Sequence, residues 1–251
     1  MQRDSRIVPA VVLGPDLTLA TAPTAGARLF VRCPPVHSIL LGRCRLQLGA
    51  GVHAPHTFAV AIPANTPHAV LSFADPCAGA AYLDPRRYDF RDVQRLAHAF
   101  RGFAPGRDDL HEAFADAHKL PRRRLDWRLQ RVLDALDERG LSVAEAAGRV
   151  GLSESRVTHL MTETLGAPPR TWRAWLKLKR ALGERLLRAA TFTQAAHRAG
   201  FTDSPHFTRT CRKMTGLLPG QMLPESIRVS LASGGTGDRD RAQPASTGSA
   251  I

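Results

Sequence analysis

The spacing of apolar residues changes near residue 89, and the two parts of the chain predict different secondary structure. Up to residue 85, short apolar runs are broken every eight to twelve residues by Gly, Pro, Asn or Asp, a rhythm typical of an all-β sandwich or barrel of roughly this strand spacing. These runs lie at residues 7–13, 39–41, 58–62 and 69–73. Residues 1–88 are therefore predicted to form a β domain.

From residue 89 the apolar residues recur at steps of three and four, which predicts amphipathic helices. Two helices are expected at 89–101 and 108–118, within a helical extension that covers residues 89–120. If their apolar faces are not buried on the preceding sheet, they are the candidate contact of a homodimer.

Two segments lack any apolar periodicity. Residues 121–126 begin with Pro121, which interrupts a helix, and continue with three arginines, so they are predicted to be a linker. Residues 230–251 consist mainly of small and charged residues and are predicted to be a disordered tail.

Residues 127–229 predict an all-helical domain with two similar helix-turn-helix units. In the first unit, Ser142 and Glu145 form a capping box, Gly151 permits the turn, and a second helix covers residues 153–165. In the second unit, the turn is at Gly200 and the second helix covers residues 204–215. Two such units in series favour a protein that recognises two stretches of DNA groove.

The second helix of each unit has a polar outward face suited to a major groove. On helix 153–165 the outward residues are Glu154, Ser155, Arg156, Thr158, His159 and Thr162. On helix 204–215 they are Ser204, His206, Thr208, Arg209, Arg212 and Lys213. Arg209 can bond both acceptors of a guanine, whereas phosphate is the expected partner of Arg212 and Lys213. The competing interpretations are a solvated helix face in general, and a phosphate contact or an internal salt bridge for Arg209.

A long basic helix is expected between the two units. A helix of about 20 residues is about 30 Å long, close to the ~34 Å pitch of duplex DNA. Such a spacer can hold two reading helices in successive major grooves. Trp172 and Trp175 within it are also compatible with simple core anchors.

The charge and the cysteine content limit the classes of binding partner that the sequence supports. The net charge is +13, of which residues 121–229 contribute +10, so a polyanion such as double-stranded DNA is the expected partner. The four cysteines lack metal-site spacing. No export signal or run of eighteen apolar residues is found, which predicts a cytoplasmic protein without a membrane partner.

Residues 127–223 resemble the DNA-binding domain of AraC/XylS transcriptional regulators. The resemblance lies in Gly200-Phe201-Thr202-Asp203-Ser204-x-x-Phe207-x-Arg209, followed by Gly216-x-x-Pro219. It implies a transcriptional regulator that binds promoter DNA and RNA polymerase, with no catalytic residues and no cofactor. The sequence departs from the family pattern at His206, Cys211 and Met222, where Tyr, Phe and Arg are usual.

Residues 30–75 resemble a cupin β-barrel through Ile62-Pro63-x-Asn65-x-x-His68, in which Asn65 replaces the usual Gly. The first cupin motif's His-x-His pair is missing, so a metal site is not supported. A small-molecule effector in the barrel mouth is expected instead, and the candidate lining residues are His37, His53, His56 and His68.

The predicted fold class is α+β, with an N-terminal cupin-like β-barrel (jelly roll), then helices, then an all-α DNA-binding domain. The main functional prediction is a sequence-specific DNA-binding transcriptional regulator. The alternative is a cupin-type metal-dependent enzyme, or a metal sensor, fused to a DNA-binding domain; its candidate sensor ligands are Cys33, Cys44 and His37.

Overall fold

A computed structural model describes residues 10–14, 16–23, 31–49, 51–100, 115–117, 119–137, 141–223 and 227–231. Its strands are β1 (Ala10–Leu13), β2 (Leu17–Pro23), β3 (His37–Leu48), β4 (Gly51–Ile62), β5 (His68–Phe73), β6 (Cys77–Leu83) and β7 (Arg228–Leu231). Its helices are α1 (Phe90–Ala99), α2 (Trp127–Asp137), α3 (Val143–Gly148), α4 (Glu154–Leu165), α5 (Pro169–Arg188), α6 (Phe192–Arg198), α7 (Ser204–Thr215) and α8 (Pro219–Met222). The order of strands and helices agrees with the predicted α+β class.

The strands form one sheet in the order β4-β3-β6-β2-β1-β7, with β5 paired to β3. The first half of β3 lies between β4 and β6, whereas its second half pairs with β4 and β5. The change of neighbour follows Gly42, whose φ of 102° favours glycine. A Cβ at this position would lie 3.3 Å from the Cys77 carbonyl oxygen. The glycine therefore permits both the irregular strand and the close approach of β6.

Helix α1 covers one face of this sheet. Asp89 caps it by accepting a hydrogen bond from the Arg91 N–H, and Val93, Leu96 and Ala97 are buried against sheet residues that include Ile39. The apolar face of α1 is therefore buried within its own domain and is not available as a dimer contact. Of the second predicted helix, 108–118, residues 115–117 are helical, and the other positions lie outside the described residues.

Helices α2 to α7 pack around a second core. Its largest buried side chain is Trp172 of α5, and Leu129, Met161 and Phe207 come from three other helices. Because the apolar residues of each helix recur every three or four positions, each helix contributes one face to this core. No helix in the described part of the chain is long and apolar enough to cross a membrane.

Two segments make contacts that their composition does not indicate. The predicted linker, residues 121–126, lies against the turn before α1, where the Arg123 N–H and guanidinium donate to the Arg87 and Pro85 carbonyls at 3.0 Å each. Strand β7 pairs in parallel with β1. This strand consists of residues 228 and 229 of the predicted all-helical domain and residues 230 and 231 of the predicted tail, so it differs from both predictions.

Side chains also join the two domains. Arg86 forms ion pairs with Asp84 at 2.8 Å and with Asp137 of α2 at 2.9 Å. Although burial opposes it, the two carboxylates raise the pKa of Arg86. The same guanidinium lies 5.1 Å from the ring centre of Trp172, and Tyr82 of β6 contacts the ring of Trp175. Both tryptophans of α5 are therefore buried in the molecule and also contact the sheet domain.

Candidate nucleic-acid interface

The first helix-turn-helix unit consists of α3, a tight turn and α4. The Ser142 hydroxyl accepts from the Glu145 N–H at 3.1 Å, and the Glu145 carboxylate accepts from the Ser142 N–H at 2.6 Å, which confirms the predicted capping box. Gly151 forms the turn with a φ of 66°. Ser153 caps α4 by accepting from the Arg156 N–H at 3.2 Å. These local interactions fix where α4 begins and which face it exposes.

The second unit repeats this design in α6 and α7. Thr191 and Gln194 form another capping box, Gly200 has a φ of 84°, and Asp203 caps α7. Phe201 lies directly after the turn and is buried, with its ring centre 5.3 Å from that of Phe207 in α7. The aromatic pair therefore anchors α7 on the core and leaves its opposite face exposed.

The predicted DNA-contacting residues of α4 lie on its outer face. Thr158 is half-buried. The other five are exposed: Glu154, Ser155, Arg156, His159 and Thr162. The His159 Nε2 lies 3.4 Å from the carboxylate of Glu163, and the Thr162 hydroxyl donates to the Thr158 carbonyl at 2.8 Å. Glu163 is exposed on this helix and was missing from the predicted set. The DNA-contacting roles of the predicted residues stay predictions.

On α7 the predicted residues divide into two groups. Arg209, Arg212 and Lys213 are exposed, whereas Ser204, His206 and Thr208 are half-buried. The Ser204 hydroxyl donates to the Thr193 hydroxyl at 3.4 Å, and His206 Nδ1 lies 3.0 Å from the Thr202 hydroxyl. The Arg209 side chain makes no hydrogen bond or ion pair with any residue that the structure describes. An internal salt bridge, one competing interpretation of Arg209, is thus not formed there.

Helix α5 holds the second unit through two polar contacts that the sequence interpretation missed. The Lys177 ammonium donates to the Gly200 carbonyl at 2.7 Å, which fixes the tight turn. The Glu184 carboxylate accepts from Arg198 of α6 at 3.3 Å. Lys177 and Glu184 are seven residues apart and so lie on one face of α5. That spacing is the signal that could have identified them as a pair.

Two departures from the AraC/XylS pattern meet in space. Cys211, where Phe is usual, is fully buried in α7, and its sulfur lies 3.1 Å from the sulfur of Met222. Met222 stands where Arg is usual. A smaller side chain at 211 leaves room that the flexible methionine fills. A third departure, His206, lies nearly perpendicular to the Phe201 ring, with the two ring centres 5.2 Å apart.

The candidate effector residues are described only in part. His53 and His56 lie in β4, and their side chains are outside the described residues. His37 and His68 are buried, and burial lowers the pKa of each to about 4. The Ala64 N–H donates to His37 Nδ1 at 3.0 Å, and His68 Nδ1 donates to the Thr66 carbonyl at 2.9 Å.

The Nε2 atoms of His37 and His68 have no hydrogen-bond partner among the described residues. At neutral pH both rings are uncharged and carry one N–H each. Because His37 Nδ1 accepts a hydrogen bond, the proton of His37 is on Nε2, whereas His68 Nδ1 donates, so the Nε2 of His68 has a lone pair. No group of three or more possible metal ligands is found in the part of the chain that the structure describes.

Comparison with known proteins identifies the helical domain. A family model described as a helix-turn-helix domain matches residues 146–224. The arabinose operon regulatory protein of Escherichia coli (strain K12) is 30% identical over 95 residues, which cover 37% of this chain and 32% of that protein. Residues 146–224 are therefore a helix-turn-helix domain of the AraC type. The match covers about a third of that relative's length.

Two solved structures extend the comparison. An AraC-type transcriptional regulator from Chromobacterium violaceum is 26% identical over 38% of this chain and 88% of its own, with a TM-score of 0.36. ToxT from Vibrio cholerae strain SCE256, solved with an unsaturated fatty acid, matches 84% of this chain and 97% of its own, with 11% identity and a TM-score of 0.52. The likeness to ToxT shows the fold. The arrangement of a sheet domain before an AraC-type domain thus confirms the predicted fold class.

Proposed function

We propose that the protein is a transcriptional regulator that binds a promoter element through α4 and α7. The observation that carries this proposal is the pair of complete helix-turn-helix units, whose second helices both expose a polar face. Helix α5 has 20 residues, so it is about 30 Å long and suits two successive major grooves. The match of residues 146–224 to a helix-turn-helix family supports the same conclusion.

The two reading helices differ in charge, and we infer that they contribute differently to binding. The exposed face of α7 has three cationic side chains, Arg209, Arg212 and Lys213, whereas that of α4 has one arginine and two carboxylates, Glu154 and Glu163. Phosphate attraction supplies most non-specific affinity for DNA. The second unit is therefore the expected source of ionic attachment. The first unit contributes mainly through base contacts of its short polar side chains.

We further propose that the sheet domain binds a small-molecule effector, with His37, His53, His56 and His68 as candidate lining residues. ToxT, which shares the fold, is solved with an unsaturated fatty acid. The Nε2 atoms of His37 and His68, which have no partner within the described part of the chain, are buried polar groups that a ligand can satisfy. RNA polymerase and a second copy of the chain are the proposed protein partners. The site of action would be the cytoplasm, and the proposal requires no catalytic residue.

A gel-shift series with genomic fragments at several salt concentrations tests the main proposal. A specific regulator retains one or a few fragments at salt concentrations that release the others, because base contacts are less salt-dependent than phosphate contacts. A protein that coats DNA without preference releases all fragments together. That second outcome would reject the proposed regulator and leave only non-specific binding.

A further inference from the structure

The sheet domain reaches the carboxyl ends of both reading helices through two short segments. The Cys33 N–H donates to the Lys213 carbonyl, near the end of α7, at 3.0 Å. Gly166 ends α4 in the left-handed conformation, and a Cβ there would lie 3.1 Å from the Ala64 carbonyl oxygen. Residues 33–36 and 63–65 thus contact α4 and α7 at the same time, and we call these two segments the wedge.

The wedge is held together by its own hydrogen bonds. The Asn65 N–H donates to the Pro34 carbonyl at 2.7 Å, and the Cys33 thiol donates to the Asn65 side-chain oxygen at 3.5 Å. Asn65 has a φ of 57°, which asparagine tolerates better than most residues. The bond from the Ala64 N–H to His37 ties the wedge to β3. These hydrogen bonds join the two segments to each other and to the sheet.

One wedge side chain is part of the helical core. Val36 is 2% exposed, and the other buried members of its cluster all come from residues 129–214. Removing this valine from water stabilises the contact between the wedge and the helices. The wedge thus contributes one side chain to the helical core.

We infer that Cys33, Val36 and Ala64 are positioning residues that set the separation of α4 and α7. Helix α5 fixes the second unit through Lys177 and Glu184. The wedge contacts the carboxyl ends of both reading helices. The distance between these helices then depends on the sheet domain as well as on α5. This inference rests on the proposed function, since the separation matters only if both helices bind one duplex.

The test uses the full chain and a set of duplexes. Selection from random DNA first defines the bound sequence, and single base pairs are then inserted or removed between its two segments. One base pair turns the second segment by about 35° around the duplex. If the separation of α4 and α7 is fixed, each inserted or removed base pair should weaken wild-type binding about tenfold. This is the loss of affinity that one mismatched base pair typically causes.

Two valine truncations provide the matched comparison. Val36→Ala loosens the wedge, and Val70→Ala removes the same two methyl groups from a valine that is 1% exposed in the sheet core. The inference expects Val36→Ala to reduce the tenfold spacing penalty to about threefold or less, with Val70→Ala keeping the wild-type penalty. Equal spacing penalties in all three proteins would overturn it.

A glycine pair decides the question if Val36→Ala does not fold. Gly166→Ala and Gly151→Ala both place alanine at a positive φ, of 78° and 66°, but only the new methyl at 166 meets the wedge. Gly166→Ala should shift the preferred spacing, and Gly151→Ala should not. An unchanged optimum in both variants rejects the inference and leaves the regulator intact. If selection enriches no sequence, the proposed function itself fails, and the inference fails with it.

Discussion

Arg209 is the exposed side chain with the clearest capacity to recognise a base. It lies on the outer face of α7 and has no internal partner among the described residues. Arg209→Ala should weaken binding to the preferred sequence by about 1–3 kcal/mol, because a bidentate guanine contact is worth about that much. Its melting temperature should stay that of the wild type. Quantitative gel shifts on preferred and unrelated duplexes provide the measurement.

Arg212→Ala is the contrasting variant on the same helix. If Arg212 contacts phosphate, its removal should weaken binding to all sequences alike. It should also lower the slope of DNA affinity against salt concentration by about 1. If Arg209→Ala behaves in this way too, its proposed guanine contact is wrong.

The two buried histidines predict a stability loss in acid. Burial lowers the pKa of His37 and His68 to about 4, below the ordinary value of about 6.5. The unfolded chain then binds protons that the folded chain does not, so stability is complete above about pH 6.5 and falls as the pH approaches about 4, by about 3 kcal/mol for each ring. His68→Asn retains a donor for the Thr66 carbonyl but does not titrate. Urea unfolding should show a smaller decrease from pH 7 to pH 5 in this variant, and identical decreases would contradict the assignment.

At the residue scale, the sequence predicts exposure better than it predicts partners. The exposure of Arg209 and Glu154 was predictable, because the helical spacing of apolar residues determines which face of each helix points away from the core. The hydrogen bonds of Ser204 and His206 depend on Thr193 and Thr202, whose distance follows from tertiary packing. Periodicity along one helix contains no information about such partners.

At the scale of elements, Lys177 makes the turn of the second unit dependent on α5. Lys177→Met keeps most of the side-chain stem but removes the donor to the Gly200 carbonyl. The free energy of unfolding should fall by about 1 kcal/mol, the usual net value of one hydrogen bond. Lys177→Arg, which can still donate, is the control. Urea titrations that give equal midpoints for Lys177→Met and the wild type would show that the bond contributes nothing.

The helices and their caps were predictable, whereas two other segments were not. Ser142 and Glu145 satisfy each other within four residues, so sequence spacing alone predicts them. Strand β7 has only four residues and exists by pairing with β1, more than 200 residues away. The segment 121–126 is irregular, as expected, but its contacts with the Arg87 turn depend on the packing of the whole chain.

For the whole molecule, Arg86 is one charged link between the two domains among the described residues. Arg86→Met leaves the carboxylates of Asp84 and Asp137 without this partner and removes the contact with Trp172. We expect the free energy of unfolding to fall by about 2 kcal/mol. This is less than for a fully buried ion pair, because Asp137 is partly exposed. Calorimetry should then show a broader unfolding transition than that of the wild type, because the other contacts between the domains remain.

Arg43→Met provides the control for this change. Its ion pair with Asp75 lies within the sheet domain, and the Arg43 side chain is 45% exposed. Breaking an exposed pair costs about 0–1 kcal/mol. A single wild-type transition in both variants would show that Arg86 does not couple the domains.

We propose that one chain reads two DNA segments on one face of the duplex. Selection from a random library, followed by hydroxyl-radical footprinting of the enriched sequence, is the decisive measurement. Two protected segments are expected, with centres about 10 base pairs apart, one for α4 and one for α7. A single protected segment, or a library without enrichment, would contradict it.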